Sequence, residues 1–198
     1  MDFVLSVCYN SFIPCPTFVA SDEQFLYSGG VDSVFEIDAT DLRWLEGVSE
    51  NEDLCLHGNA VAKISDEIFE YDNATVSATA LYLLKSLTED HIQNSVQMLP
   101  CCGFNIYASD DMCSCVIVGC PDGIDWSVIH IGDDIIKLVT KSGKETLITL
   151  DEYRKTVYSF ADKIETYYKK SVRKRLPDDA VNRDGYIAFW NEWHRHRK

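Results

Sequence analysis

The sequence lacks long apolar runs and has few basic residues. No apolar run reaches about 18 residues, the length that a membrane-spanning helix needs, so no such helix is expected. The 18 Lys and Arg residues are outnumbered by 32 Asp and Glu residues, and the net charge is −14. A surface this poor in bases does not neutralise phosphate groups. Nucleic acids and anionic membranes are therefore excluded as partners, whereas a basic protein is permitted.

Several motifs of phosphate and metal chemistry are also absent. Neither GxGxxG nor GxxxxGK[ST] occurs, which excludes the usual glycine-rich phosphate loops. No Asp-x-Asp-x-Asp-Gly loop occurs, which excludes the common calcium site. No CxxC pair occurs, although structural zinc sites usually take their ligands from such pairs. We therefore expect no cofactor and no metal.

Eight cysteines are present, and five of them lie between positions 101 and 120. A chain of 198 residues is long enough to bury a core without disulfides. Residues 1–5 include Asp2 where a signal peptide carries bases, so the protein is expected to be cytoplasmic. We expect free, mostly buried thiols, although the spacing leaves metal binding by the cysteines from 101 to 120 open. These five cysteines are Cys101, Cys102, Cys113, Cys115 and Cys120.

A cysteine- and histidine-dependent enzyme is the main alternative to a binding protein. A cysteine nucleophile needs a nearby base and a positive environment to form the thiolate. His57, His91 and His130 could supply the base, but none of them stands in a recognisable motif. A scaffold or adaptor subunit whose charge only keeps it in solution is a third hypothesis.

The charge is distributed unevenly along the chain. Residues 21–73 contain fourteen acids and two bases, whereas residues 163–198 contain ten bases and five acids. The acidic segment therefore carries most of the excess negative charge, and the C-terminal segment has the opposite sign.

The patterns predict an α+β fold, mainly an antiparallel sheet with three to four helices packed on it. The hydrophobic fraction of 46% is sufficient for one domain over residues 1–198, with an N-terminal subdomain 1–95 as the alternative division. In the first half, alternation and helical spacing predict strands at 3–9, 54–58 and 60–71, a hairpin of 24–27 with 31–37, and helices at 38–47 and 74–91.

The second half, residues 96–198, predicts a C-terminal meander followed by helices. The short turns between its strands favour antiparallel pairing. A long helix at 151–172 and a last helix at 185–195 follow, and the aromatic stripe of the last helix is more typical of packing on its own domain than of an exposed binding face. The five predicted strands are 104–108, 112–118, 124–131, 134–140 and 145–150. The aromatic residues are Tyr186, Phe189, Trp190 and Trp193.

Three segments of the second half are similar to segments of bacterial immunity proteins from secreted toxin systems, including contact-dependent growth inhibition. They are residues 99–103 (Leu-Pro-Cys-Cys-Gly), 119–126 (Gly-Cys-Pro-Asp-Gly-Ile-Asp-Trp) and 189–193 (Phe-Trp-Asn-Glu-Trp). The resemblance implies a small cytosolic protein that binds the C-terminal domain of a toxin, often a nuclease, and blocks it. It carries no site residue over to this chain.

A nuclease holds phosphate in a basic cleft, and an acidic inhibitor can be steered to that cleft by its charge. We therefore expect the contact surface between Asp32 and Asp53, with Trp44 as an apolar anchor. No catalytic residue is predicted. The predicted partner-binding residues are Asp32, Glu36, Asp38, Asp41, Trp44, Glu46, Glu50, Glu52 and Asp53.

Overall fold

The structure is a computed structural model that describes residues 34–93 and 96–198. These residues belong to the compact unit formed by residues 32–198, and they have an α+β fold. The strands predicted at 3–9 and 24–27 lie outside the described residues. The strands are β1 Phe35–Arg43, β2 His57–Ile64, β3 Glu67–Ala74, β4 Leu99–Pro100, β5 Asn105–Ala108, β6 Cys115–Val118, β7 Gly123–Ile124, β8 Ser127–Ile131, β9 Ile135–Val139 and β10 Glu145–Thr149. The helices are α1 Val76–Lys85, α2 Leu150–Lys170 and α3 Ala180–Arg195.

The first three strands form an antiparallel sheet in the order β1-β2-β3, which we call the N-terminal sheet. In β1, Phe35 and Ala39 are buried whereas Glu36 and Asp38 are exposed. This alternation gives the apolar side chains one common face, which is a strand pattern. The helix predicted at 38–47 is therefore wrong over the residues that β1 contains.

The strand predicted at 60–71 is also wrong, because two strands occupy this stretch. β2 and β3 are joined by a tight turn in which Ser65 has a positive φ of 56°. The antiparallel register continues from Ile64 opposite Glu67 to Ala60 opposite Tyr71. The apolar spacing did not reveal the turn because both β2 and β3 carry apolar residues, such as Val61 and Ile64 in β2 and Ile68 and Phe69 in β3.

The C-terminal strands form three separate antiparallel sheets, so the prediction of one continuous meander is wrong. β5 pairs with β6, β4 pairs with β7, and β8, β9 and β10 form the C-terminal sheet. The change of partner occurs after β6, where residues 119–123 bring Ile124 opposite Leu99. Long-range pairing with β4 thus replaces the pairing with the preceding strand that short turns favour.

The helices cover one face of the N-terminal sheet and complete the core. α2 contacts β1, and α1 contacts β2 and α2. The Phe35 ring lies 5.1 Å from that of Tyr153 in α2 and 6.3 Å from that of Trp126, centroid to centroid. Among the described residues, no helix is both long and apolar enough to cross a membrane.

The predicted helix at 151–172 is confirmed as α2, and it begins with a capping box. Thr149 Oγ1 accepts a hydrogen bond from the Glu152 N–H at 3.2 Å, and the Glu152 carboxylate accepts one from the Thr149 N–H. Such reciprocal bonds satisfy amide groups that have no partner within the helix. The helix predicted at 74–91 is shorter, since α1 ends at Lys85 and its N-cap is Thr75.

α3 packs on the β5–β6 hairpin through a glycine. A Cβ on Gly185 would lie 1.9 Å from the Ile106 carbonyl oxygen of β5, so only glycine permits this helix–strand approach. Phe189 and Trp193 are 3% and 0% exposed, which confirms that the aromatic stripe packs on its own domain.

The buried carboxylate of Glu192 links α3 to β6 and α1. Its Oε2 accepts a hydrogen bond from the Cys115 N–H at 2.8 Å, and its Oε1 lies 3.1 Å from the side-chain nitrogens of both Lys85 and Arg195. Burial by itself raises the pKa of Glu192, but hydrogen bonds from His196 and the Cys115 N–H, together with Lys85, lower it to about 2.

We expect Gly185→Ala to lower the free energy of unfolding by about 1–3 kcal/mol, because the new methyl group overlaps the Ile106 carbonyl. Urea denaturation measures the change. Val181→Ala is the matched control on the same helix, since Val181 is 52% exposed and its truncation should cost less than about 0.5 kcal/mol. A stabilisation of about 1 kcal/mol, the ordinary preference of a helix for alanine over glycine, would contradict the packing.

The Glu192 ion pairs predict a specific acid sensitivity. The folded-state pKa of about 2 lies below the ordinary value of 4.5, so this stabilisation is complete above pH 4.5 and is lost as the pH falls towards 2. The shift corresponds to about 3 kcal/mol. Urea denaturation between pH 5 and about 3 should show a steeper loss of stability for the native sequence than for Glu192→Gln. Parallel pH profiles would contradict the assignment.

Candidate partner-binding surface

The structure separates the predicted partner-binding residues into groups. Glu36 and Asp38 lie on the exposed face of β1. Asp41 has a positive φ of 49° where the β1 register shifts, and its carboxylate accepts a hydrogen bond from the Asn59 amide at 3.1 Å. Asp32 lies outside the described residues. The others occupy residues 44–53, which we call the acidic loop: Trp44, Glu46, Glu50, Glu52 and Asp53.

Asp53 holds the acidic loop closed. It is 7% exposed, and its two carboxylate oxygens accept hydrogen bonds from the Leu45 N–H at 2.7 Å and the Cys55 N–H at 3.1 Å. A carboxylate that caps two backbone amides in this way stabilises the loop conformation. Both carboxylate oxygens of Asp53 therefore accept hydrogen bonds from the nearby backbone.

The acidic loop contacts the end of α2 and the residues after it, 171–175, which we call the basic segment. Glu50 Oε1 accepts a hydrogen bond from the Val172 N–H at 3.0 Å, and its carbonyl oxygen accepts one from the Lys174 ammonium group. Glu52 Oε1 lies 3.3 Å from an Arg175 guanidinium nitrogen. The loop and the C-terminal bases thus neutralise part of each other's charge.

Trp44 belongs to the same contact and is not a free anchor. Its Nε1–H donates a hydrogen bond to Ser171 Oγ at 3.3 Å, and its ring lies 5.0 Å from that of Tyr168. The Lys174 ammonium nitrogen lies 3.0 Å from the Trp44 ring centroid, a cation–π arrangement. Burial lowers the pKa of Lys174 to about 8, against the opposing effects of Asp53 and Glu50.

The exposed face of the N-terminal sheet combines acidic and apolar side chains, and we call it the outer sheet face. The register forms one row of Asp38, Val61 and Glu70 and a second row of Glu36, Lys63 and Ile68. Val61 and Ile68 remain 38% and 62% exposed. Val61 of the central strand thus lies between the carboxylates of Asp38 and Glu70, and Ile68 lies on the edge strand β3 two residues before Glu70.

The ion pairs of the outer sheet face are confined to its β1 side. Glu36 lies 3.3 Å from the Lys63 ammonium nitrogen, and Asp38 lies 2.6 Å from that of Lys163 in α2. Within residues 34–93 and 96–198, no ion pair is formed by the exposed Glu70. Unpaired negative charge therefore remains on the β3 side of the face.

An open groove of about 560 Å³ runs beside this surface. Strand residues of the outer sheet face and polar residues of α2 both line it, so it is continuous with the acidic and apolar surface. The α2 residues that line it are Lys155, Thr156 and Ser159.

Sequence reasoning missed Val61, Ile68 and Glu70 as site residues. The signal was the alternation in β3, where Ile68 and Glu70 are exposed and flank the partly buried Phe69. The sequence alone did not show which β3 residues face outward, because the turn at Ser65 that divides the predicted strand 60–71 into β2 and β3 was not recognised.

Two of the described thiols, those of Cys55 and Cys115, lack the features of an activated nucleophile. Burial is the main cause that raises the pKa of Cys55 and of Cys115 to about 12, with Asp53 and Glu192 adding to it. No histidine nitrogen hydrogen-bonds a cysteine sulfur within residues 34–93 and 96–198. The expectation of free thiols is wrong for Cys101 and Cys120, which form a disulfide.

Two histidines pair with carboxylates instead. His91 Nε2 lies 2.7 Å from Asp125 Oδ1, which also accepts hydrogen bonds from the Met98 and Trp126 N–H groups. His130 Nδ1 lies 2.9 Å from Asp90 Oδ1. The first pair joins the segment after α1 to the residues before β8, so it organises the backbone.

The hydrogen bonds of the acidic loop predict that Asp53 contributes to the stability of the fold and that Glu46 contributes little. Asp53→Ala should lower the free energy of unfolding by about 1–3 kcal/mol, because the amides of Leu45 and Cys55 lose their acceptor. The matched control is Glu46→Ala, whose carboxylate is exposed and bonds no residue in the described part of the chain. It should change stability by less than about 0.5 kcal/mol in urea denaturation. Equal effects of the two substitutions would contradict the role of Asp53.

The described residues therefore form two candidate binding sites that differ in chemistry. The outer sheet face has an apolar centre between carboxylates, which suits contact with another protein. The segments that carry Cys101, Cys102 and Cys120 offer clustered sulfur atoms. Comparison of the chain with protein-family models, with curated proteins and with solved structures finds no match.

Proposed function

We propose that this chain is a non-enzymatic, cytoplasmic binding protein that neutralises a basic partner, of the kind that immunity proteins of bacterial toxin systems represent. The partner would be the C-terminal domain of a toxin, with a nuclease as the favoured activity. Its basic substrate cleft would present the charge that complements this acidic chain.

The observation that carries the proposal is the row Asp38, Val61 and Glu70 on the outer sheet face. Exposed apolar side chains in the middle of a sheet face are available for burial against a partner, and they contribute more to affinity than charges at the rim. The flanking carboxylates would accelerate association with a basic surface and set its orientation.

This placement keeps Glu36 and Asp38 of the segment 32–53 that the sequence favours and leaves out the acidic loop. Glu50 and Glu52 already contact the basic segment, and Asp53 is buried, so these acids have less charge to offer a partner. Glu70 is exposed and free of ion pairs with described residues, which makes it the more effective contact.

The enzyme alternative has less support. A thiol whose pKa is raised by burial is mostly protonated near neutral pH and is a poor nucleophile, which applies to both Cys55 and Cys115. No specific feature of the described surface favours a scaffold role over the inhibitor.

Co-expression with the product of the adjacent gene tests the proposal. Bacteria that produce the adjacent protein's C-terminal domain should stop growing, and growth should return when this chain is produced with it. The two purified proteins should also form a stoichiometric complex. A neighbour that is neither toxic nor bound by this chain would contradict the proposed function.

Two charge reversals then locate the contact surface. Glu70→Lys and Glu46→Lys change the net charge equally, so they alter long-range steering alike and differ only in position. Glu70→Lys should weaken the complex by roughly tenfold at low ionic strength, and Glu46→Lys should have a much smaller effect. High salt should reduce the difference. An equal or larger effect of Glu46→Lys would place the contact in the acidic loop instead.

A further inference from the structure

Three cysteine sulfurs converge where two distant segments of the chain meet. The Sγ atoms of Cys101, Cys102 and Cys120 all lie within 4.8 Å of one another, and the three residues are partly buried. We call them the cysteine cluster. Cys113 and Cys115 are not part of it, although they lie closer to Cys120 along the chain.

The backbone holds the cluster in place. β4 and β7 pair directly before and after it, and the Cys101 N–H donates a hydrogen bond to the Asp122 carbonyl oxygen at 3.2 Å. A Cβ on Gly119 would lie 2.4 Å from the Cys102 carbonyl oxygen. The two segments therefore approach at a distance that only glycine permits, and this approach brings the sulfurs together.

The arrangement suits metal coordination by sulfur. The Cys120 N–H donates a hydrogen bond to Cys102 Sγ at 2.9 Å, so the backbone of the second segment fixes the position of that sulfur. Two sulfurs bound to one tetrahedral zinc ion at about 2.3 Å lie roughly 3.8 Å apart, which is less than the 4.8 Å within which all three sulfurs lie. The bonded sulfurs of Cys101 and Cys120 must separate to reach that distance, which requires reduction of the disulfide. Thiolates select soft or borderline cations such as zinc.

A disulfide by itself explains only two of the three sulfurs. The Cα atoms of Cys101 and Cys120 lie 6.9 Å apart, slightly beyond the usual range for bridged cysteines, about 4.4–6.8 Å. Cys102 has no part in that bond, yet its sulfur accepts the Cys120 amide. A metal ion would use all three sulfurs.

We propose that Cys101, Cys102 and Cys120 form a three-thiolate zinc site when the Cys101–Cys120 disulfide is reduced. Reduction by a phosphine and one water molecule breaks the sulfur–sulfur bond: the phosphine supplies two electrons and becomes its oxide, and the water supplies the oxide oxygen and the protons of the two thiols. Zinc then displaces the protons of all three thiols and forms three zinc–sulfur bonds. Water completes the fourth position, since the three residues are only partly buried.

The spacing of the cysteines explains why the sequence alone did not predict this zinc site. Cys101 and Cys102 are adjacent, and Cys120 comes 18 residues after Cys102, so no paired CxxC knuckle exists. The pairing of β4 with β7 creates the site, and the meander prediction did not contain that pairing.

Metal counting on the full chain tests the proposal. The protein is reduced with a phosphine, incubated with zinc, freed of excess ion and measured by elemental analysis, with affinity taken from competition with a chromophoric chelator. One zinc ion per chain is expected. Cys102→Ser should weaken binding by at least about 100-fold, because loss of even an outer partner costs about 10–100-fold. Cys113→Ser is the control and should bind zinc normally, since Cys113 is exposed and outside the cluster.

A second measurement needs no variant and does not depend on folding of a mutant. Alkylation of the reduced native chain, read by mass spectrometry, should show that zinc protects Cys101, Cys102 and Cys120 and leaves Cys113 reactive. Absence of bound zinc after reduction would overturn the proposal. So would unchanged affinity in Cys102→Ser, or zinc protection confined to other cysteines such as Cys8 and Cys15. The result is independent of whether the chain neutralises a toxin.

Discussion

The N-terminal sheet buries only one of its two faces, and the proposed function depends on this constraint. Phe35, Ala62 and Ile64 point into the core that α1 and α2 complete. Because side chains alternate along a strand, burial of these residues fixes Glu36, Val61 and Glu70 on the opposite face. The register then brings acids from both edge strands to either side of Val61. A slip of one residue would bury the carboxylates and expose the core, so the outer sheet face is as strongly specified as the core.

The net charge of this protein does not show where its unpaired negative charge lies on the surface. The acidic first third and the basic C-terminal segment look like two opposite poles in the sequence, but the acidic loop lies on residues 171–175. Contacts such as Glu52 with Arg175 are worth little individually when exposed, about 0–1 kcal/mol, yet they neutralise the field that a partner would meet. The acids that remain unpaired, Glu70 among them, determine where an electrostatic contact can form.

The elements that were predictable from the sequence depend on local periodicity. α2 was predicted because its apolar residues recur at helical spacing, and α3 because its aromatic residues form one stripe. Only residues 35–37 of β1 were predicted as strand, because Leu42 within β1 and Trp44 and Leu45 after it imitate helical spacing. The acidic-loop contacts join residues more than 100 positions apart, and the cysteine cluster depends on the β4–β7 pairing. No local pattern contains such long-range pairings, so neither the acidic-loop contacts nor the cysteine cluster could be predicted from the sequence.

The outer sheet face can be tested directly by labelling carboxylates with a carbodiimide and an amine, followed by mass spectrometry, with and without the bound partner. The account predicts that the complex protects Asp38 and Glu70 and leaves Glu46 and Glu89, which lie away from this face, labelled as in the free protein. Protection of Glu46 together with unchanged labelling of Glu70 would contradict it.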